Sequence, residues 1–471
     1  MIKIDEFSGK TMAVLGLSRT GLAVAKALIN GGASVVAWDD NEAARETAEL
    51  AGIPIVDLSR RDLADLTALV LSPGIAHTFP TPHHVVSLAK ACRVPIWGDV
   101  ELLGRALNAL PASSRPKVIG ITGTNGKSTT TALVTHILRS AHLDAHSGGN
   151  IGRACLDLPP LRQGQFLVLE LSSYQLELSC SLRCDVAALL NLSPDHLERH
   201  GGMENYQQAK AMIFANQNPT DLAVIGADDA PSNVILSDVG DGPQQVCAIS
   251  TSQVLCSGVY VLGAKLMDGR GSQAREIADL AQAPGLRGQH NWQNAAAAFA
   301  ITSHLGLSDQ QIANGLYSFA GLQHRMEPLG KLGPILFVND SKATNIEAAA
   351  TALSSYSNIY WIAGGRAKAG GLEALRPYLP NVRKAYLIGE AAKQFDEELK
   401  GSCPAKRCGT LEKAFTAAAH DALQSSMPDP VVLLSPACAS FDQFTDFEAR
   451  GDAFRELVDT AVKQLATRPV S

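Results

Sequence analysis

One short stretch limits the folds open to this chain. Lys117-Val118-Ile119-Gly120-Ile121 is a continuous apolar run, which suits a strand covered on both faces and therefore a parallel sheet. Residues 122–126 form a glycine-containing turn, and Lys127-Ser128-Thr129-Thr130-Thr131-Ala132-Leu133 opens a helix. Strand, turn and helix in that order make one βα unit, and the alternation recurs along the chain. Strands are expected at Thr11–Leu15, Ser34–Trp38 and Ala68–Leu71, then at 118–121, 166–169, 186–190 and 222–225, and finally at 335–338, 359–363, 385–388 and Val431–Leu434. A chain of 471 residues exceeds one core and implies roughly three domains. Residues 108–116, with two prolines, have linker composition, and a second boundary falls near 320–324. The expectation is an α/β protein with domains at 1–112, 113–321 and 322–471.

Hydrophobic residues make up 46% of the chain and charged residues 18%, an ordinary globular balance. A net charge of −6 argues against a general nucleic-acid or membrane-surface binder, yet leaves room for local cations that hold a phosphate. No apolar run approaches the ~20 residues of a membrane helix. Met1-Ile2-Lys3-Ile4-Asp5-Glu6 is not the start of a signal peptide. Nine scattered cysteines without a Cys-x-x-Cys pair read as reduced thiols. A cytoplasmic monomer acting on small molecules, without nucleic acid or membrane, is expected.

The turn carries the first chemistry. Glycines let backbone N–H groups converge on phosphate oxygens, and the helix start adds its positive end. Gly123, Thr124, Asn125, Gly126, Lys127, Ser128 and Thr129 therefore read as a phosphate loop for ATP, with Lys127 reaching the β- and γ-phosphates. The hydroxyls of Ser128 and Thr129 are hard donors for Mg²⁺. The common pattern G-x-x-x-x-G-K-[ST] places glycine at 121, where this chain has Ile121, so the loop is a variant. Glu170, at the end of the strand 166–169, is a natural Mg²⁺ ligand beside such a loop. Over 203–214, Met203, Tyr206, Lys210, Ile213 and Phe214 share a helical face. A lysine on that stripe either snorkels or loses its charge by desolvation. Near the N-terminus, Gly16-Leu17-Ser18-Arg19-Thr20-Gly21 keeps the spacing of a dinucleotide turn but replaces the middle glycine with Ser18, and Asp39 ends the next strand. An NAD-dependent dehydrogenase built on that turn is one alternative, and a nucleotide-binding regulator another.

Gly-Thr-Asn-Gly-Lys-Ser-Thr at 123–129 resembles the loop of the Mur ligase and folylpolyglutamate synthetase superfamily. Leu169-Glu170-Leu171-Ser172-Ser173-Tyr174-Gln175-Leu176-Glu177, Asn191-Leu192-Ser193-Pro194-Asp195-His196-Leu197-Glu198-Arg199-His200, Gly288-Gln289-His290-Asn291-Trp292-Gln293-Asn294-Ala295, Asn339-Asp340-Ser341-Lys342-Ala343-Thr344-Asn345 and Leu434-Ser435-Pro436-Ala437-Cys438-Ala439-Ser440-Phe441-Asp442-Gln443-Phe444 extend the likeness along the chain. The resemblance implies a Rossmann-like UDP-binding N-terminal domain, a central ATPase domain with a mainly parallel sheet, and a Rossmann-like C-terminal domain. Within the superfamily it points to the members that add D-glutamate to UDP-N-acetylmuramoyl-L-alanine through an acyl phosphate. Another Mur ligase or a folylpolyglutamate synthetase is the near alternative.

The resemblance also implies roles for residues. His196 and Lys210 join Glu170 around two Mg²⁺ ions, with Lys210 converted by CO₂ to an anionic carbamate. Asn291 and Asn294, in a helix over 291–301, face adenine or ribose, and Arg325, Asp340 and Lys342 complete the ATP site. Gly16, Leu17, Ser18, Asp39, Ser72, Pro73, Gly74 and Asn150 serve the UDP substrate. Thr344, Lys368, Ser440, Phe441 and Phe447 hold the incoming amino acid.

Overall fold

The computed structural model describes residues 1–286, 288–367 and 371–466. They divide into two compact units, Met1–Phe319 and Ala320–Ser471. The first unit holds two sheets. Thr11–Leu15, Ser34–Trp38, Ala68–Leu71 and Ile96–Trp97 form a parallel sheet with Thr11–Leu15 inside. The larger sheet has nine strands, and Lys117–Thr122 lies between Gln165–Glu170 and Val186–Leu189, parallel to both.

Burial on both faces explains the apolar runs. Along Lys117–Thr122, Val118 enters one core cluster while Ile119 and Ile121 enter another across the sheet. Val168 and its neighbours Leu167 and Leu169 divide in the same way, as the two-residue period of a strand requires. The first of these clusters also contains Val14, Val24 and Val70, so the N-terminal sheet and the larger sheet share one core. Ile2 N donates to Leu156 O at 2.9 Å across that junction.

The larger sheet is parallel except at one edge, where Val259–Leu262, Lys265–Asp268 and Arg275–Asp279 run antiparallel. The expected strands are all present, several longer by a residue or more and Val186–Leu189 shorter by one; these edge strands are additions, as are Asp144–Gly149 and Gln245–Ser250 in the same sheet. The helix expected over 203–214 is Met203–Ala211 followed by a 3₁₀ turn, Met212–Phe214, and that over 291–301 is Gln289–His304.

In the second unit the order is Glu327–Leu332, Ile335–Asn339, Val431–Leu434, Ile359–Gly364, Val382–Ile388 and Ala405–Gly409, antiparallel only in the first pair. Trp361 is fully buried there, its indole N–H donating to Ser435 O at 2.8 Å.

Candidate active site

The turn after Lys117–Thr122 leaves at the carboxyl edge of the sheet. Gly126 caps the helix Lys127–Ser140 in a left-handed conformation, φ 83°, which favours glycine. A Cβ there would stand 2.3 Å from Asn294 Oδ1. The amides of Thr124 and Asn125 are spent inside the fold, donating to Asn191 O at 2.8 Å and Asn191 Oδ1 at 2.9 Å. The anion-attracting part of the loop is therefore the Gly126 turn and the first turn of the helix. Asn191 shapes this loop, a role its sequence position gave no means of reading.

Two lysines converge on one carbonyl. Lys127 Nζ donates to Gly123 O at 2.9 Å and Thr124 O at 2.8 Å, and Lys210 Nζ to Gly123 O at 2.9 Å and Thr122 Oγ1 at 3.2 Å. Lys210 is only 2% exposed, so it does not snorkel. Burial first, and then the Lys127 charge, push its ammonium well below the usual lysine range, against the pull of Asp195 and Glu170.

Glu170 pairs with Ile121 across the sheet and is buried. Its Oε1 accepts from Asn150 Nδ2 at 2.7 Å, whereas its Oε2 is buried without a hydrogen-bond partner. An orphaned buried carboxylate oxygen is costly unless something binds it. That oxygen, with the buried hydroxyl residues Ser128 and Thr129, fits an Mg²⁺-bearing phosphate group. His196 is half-exposed, has φ 52°, and lies 5.2 Å from the Tyr174 ring. No cluster of three or more His, Cys, Asp or Glu suited to a metal occurs among the described residues. A metal here would thus depend on donors of other kinds.

The structure brings Asn294 to the loop. Its Oδ1 accepts from Thr130 Oγ1 at 3.1 Å and its Nδ2 donates to Asn291 Oδ1 at 3.1 Å. Asn294 thereby ties Gln289–His304 to the loop helix. On the N-terminal sheet, Asp39 accepts from Leu17 N at 2.6 Å and Asn41 N at 2.9 Å, and Ser72 Oγ donates to Gly16 O at 2.8 Å. Gly16 and Leu17 are buried, and Ser18 and Gly74 are exposed with Pro73 between these extremes. Asn150 O accepts from Arg19 at 3.2 Å, so one residue touches both the N-terminal turn and Glu170.

The second unit gathers its own set. Asp340 is buried; its carboxylate accepts from Met326 N at 3.1 Å and Ser435 Oγ at 2.9 Å, and burial raises it to about 7. Lys342 Nζ lies 4.6 Å over the Phe447 ring. Arg325 N donates to Leu322 O, and Thr344 N to Lys342 O. Ser440 is buried and Phe441 is 65% exposed. Lys368 lies outside the described residues.

A phosphate loop at the carboxyl edge of a parallel sheet, with a carboxylate and a desolvated lysine beside it, is the arrangement of an ATP-dependent phosphoryl-transfer enzyme. Residues 121–302 match the Mur ligase middle domain and residues 324–438 the "Mur ligase, glutamate ligase domain". A protein of Caulobacter sp. (strain K31) is 51% identical over 99% of this chain and all of its own; one from Rhizobium meliloti is 50% identical over 96% and 97%. Both are named UDP-N-acetylmuramoylalanine–D-glutamate ligase. The chain belongs to the Mur ligase family. Among solved structures, a UDP-N-acetylmuramoyl-L-alanyl-D-glutamate–2,6-diaminopimelate ligase matches with TM-score 0.58 at 20% identity, covering 98% of this chain and 93% of its own. The UDP-N-acetylmuramate–alanine ligase of Thermotoga maritima gives 0.57 at 18%, covering 96% and 99%. These two share the fold.

Proposed function

We propose that the protein joins D-glutamate to UDP-N-acetylmuramoyl-L-alanine in the synthesis of peptidoglycan precursors. The amino acid is inferred from the full-length relatives bearing that name. The chemistry is carried by one observation, the unpartnered Glu170 Oε2 beside the loop on which Lys127 and Lys210 converge. The γ-phosphoryl group of ATP passes to the alanyl carboxylate, giving ADP and an acyl phosphate. The D-glutamate amine then attacks that carbon, phosphate leaves, and the amide forms with loss of a proton.

Lys127 and the start of the Lys127–Ser140 helix attract the phosphates. Ser128, Thr129, Glu170, His196 and a carbamate on Lys210 would hold two Mg²⁺ ions, which neutralise phosphate charge. Lys210 is suited to that modification because desolvation favours its neutral amine, the form that adds to CO₂, and loss of one proton then leaves an anionic carbamate. Gly16, Leu17, Ser18, Asp39, Ser72, Pro73, Gly74 and Asn150 are assigned to the UDP substrate. In the second unit, Thr344, Ser440, Phe441 and Phe447, with Lys368, are assigned to the amino acid.

The assay is phosphate release from ATP with UDP-N-acetylmuramoyl-L-alanine and a panel of amino acids. D-glutamate is expected to give the highest turnover. Equal or greater turnover with L-lysine or diaminopimelate would overturn the assignment. For Lys210, ¹³C-bicarbonate is expected to give a carbamate carbon signal by NMR that Lys210→Arg abolishes together with activity. An active Arg variant would remove the carbamate from the mechanism.

A further inference from the structure

The chemistry above leaves one buried cluster unused. Glu177 follows the short helix Ser173–Leu176, and its side chain is 13% exposed. Its Oε2 lies 3.3 Å from His200 Nδ1, and its Oε1 lies 3.0 Å from an Arg199 Nη and 3.2 Å from His77 Nδ1. Burial alone would raise this carboxyl, but the His200 and His77 contacts and the Arg199 charge lower it to about 2. The contacts therefore outweigh the desolvation of this carboxylate, and removing one partner would leave a buried charge uncompensated.

The three partners come from two places. Arg199 and His200 end the helix Leu197–His200, whose N-cap is His196. His77 belongs to the loop that follows Ser72-Pro73-Gly74. Arg199 itself reaches that loop, donating to Ile75 O at 3.2 Å and meeting His77 Nδ1 at 3.2 Å. Phe79, from the same loop, covers Gly201, where a Cβ would stand 2.7 Å from the ring. On the other side, His200 Nε2 is 2.9 Å from Ser173 Oγ, and its ring lies 5.4 Å from Tyr206. The Tyr206 hydroxyl is 3.0 Å from Thr124 Oγ1 in the phosphate loop. The cluster is thus continuous from the N-terminal loop to the phosphate loop.

The turn it holds is unusual. His196, Gly201 and Gly202 all have positive φ, at 52°, 75° and 138°. A non-glycine residue in that region persists only when its surroundings over-determine it. Glu177 bridges the side chains of Arg199 and His200, which lie between His196 and Gly201 in that turn.

We propose that Glu177 is a positioning residue that fixes the turn presenting His196 and couples it to the loop after Ser72-Pro73-Gly74. Substrate bound on the N-terminal side then steadies the nucleotide side of the same unit. This rests on assigning His196 to the metal and residues 72–74 to the UDP substrate.

The test uses the full chain with Glu177→Gln and His77→Ala. Glu177→Gln is expected to speed hydrogen exchange across residues 196–202 by roughly ten-fold while the strand Gln165–Glu170 keeps its protection. Mn²⁺ affinity in the presence of ATP, read by EPR, is expected to fall roughly 10–100-fold. His77→Ala weakens only the N-terminal arm, in which the Arg199 bond to Ile75 O and the Phe79 contact with Gly201 remain. It should keep Mn²⁺ affinity yet lose part of the added protection that UDP-N-acetylmuramoyl-L-alanine gives residues 196–202 in the parent protein. Unchanged exchange and Mn²⁺ affinity in Glu177→Gln would overturn the proposal, as would faster exchange spread evenly over the whole unit. If Glu177→Gln does not fold, His77→Ala decides, and substrate protection equal to the parent's overturns it. A parent protein that releases no phosphate in the ligase assay would overturn the proposed function alone, because exchange and Mn²⁺ binding are read without turnover.

Discussion

Gly126 shows how much one missing side chain can decide. Its φ of 83° and the 2.3 Å gap to Asn294 Oδ1 are separate constraints, one on the backbone and one on space. Gly126→Ala is expected to cost about 1–3 kcal/mol from the backbone alone and to weaken ATP binding in calorimetry. Measured against Asn294→Ala alone, which loses the Thr130 and Asn291 bonds, adding Gly126→Ala should cost only the backbone part; no added cost would show that φ carries none. Asp340 makes a prediction of a different kind. Its folded value of about 7 lies above the ordinary 3.8 because burial disfavours the anion, with the Ser435 and Met326 hydrogen bonds and then the Arg325 and Arg450 charges only partly compensating. Between those values the folded chain keeps a proton that the unfolded chain has lost. Stability therefore falls as pH rises through that window and levels above about 7. Asp340→Asn should flatten the fall, seen as a urea midpoint that no longer drifts across the window. A drift equal to the parent's would assign it to other groups.

Among elements, the helix Gln289–His304 binds the loop to the core. Its polar start carries Asn291 and Asn294, and the run from Ala295 to Ile301 is wholly buried. Small residues let it approach the helix Lys127–Ser140, and Asn294 bonds Thr130 across the contact. Phe299 is the large side chain in that run, with the Arg270 guanidinium 5.2 Å over its ring. Phe299→Ala is expected to cost about 3–5 kcal/mol, measured by denaturant unfolding of the first unit. A loss under about 1 kcal/mol would mean that the site collapses around the gap. Strands buried on both faces could be read from the sequence: Thr11–Leu15, Ala68–Leu71 and Val431–Leu434 have the expected bounds because apolar runs leave one conformation to choose. Asp144–Gly149 could not be read. Its residues, Asp-Ala-His-Ser-Gly-Gly, carry no strand pattern, and it exists through its ladder with Gln165–Glu170. The same limit hid Asn191 and the Glu177 cluster. Lys127 and its loop are contiguous in sequence, whereas His77, Glu177 and His200 meet only through the fold.

For the whole molecule, the division after Phe319 falls beside the boundary read near residues 320–324. The order of strands was hidden, since nothing local says that Lys117–Thr122 should lie between Gln165–Glu170 and Val186–Leu189. The second unit has a six-stranded sheet with a separate core cluster on each face, and among the described residues both clusters are built from this unit alone. A unit with its own two-sided core has what independent folding requires. A chain beginning at Ala320 is therefore expected to fold alone and to unfold in one cooperative step. The sequence supplies the probe, because Trp361 is the sole tryptophan from Ala320 onward. Buried in the central part of the sheet and bonded to Ser435 O, it should emit at short wavelength in the fragment and shift red in a single urea transition that coincides with loss of circular dichroism. Red emission without denaturant, or two non-coincident transitions, would show that this sheet depends on the residues before Ala320.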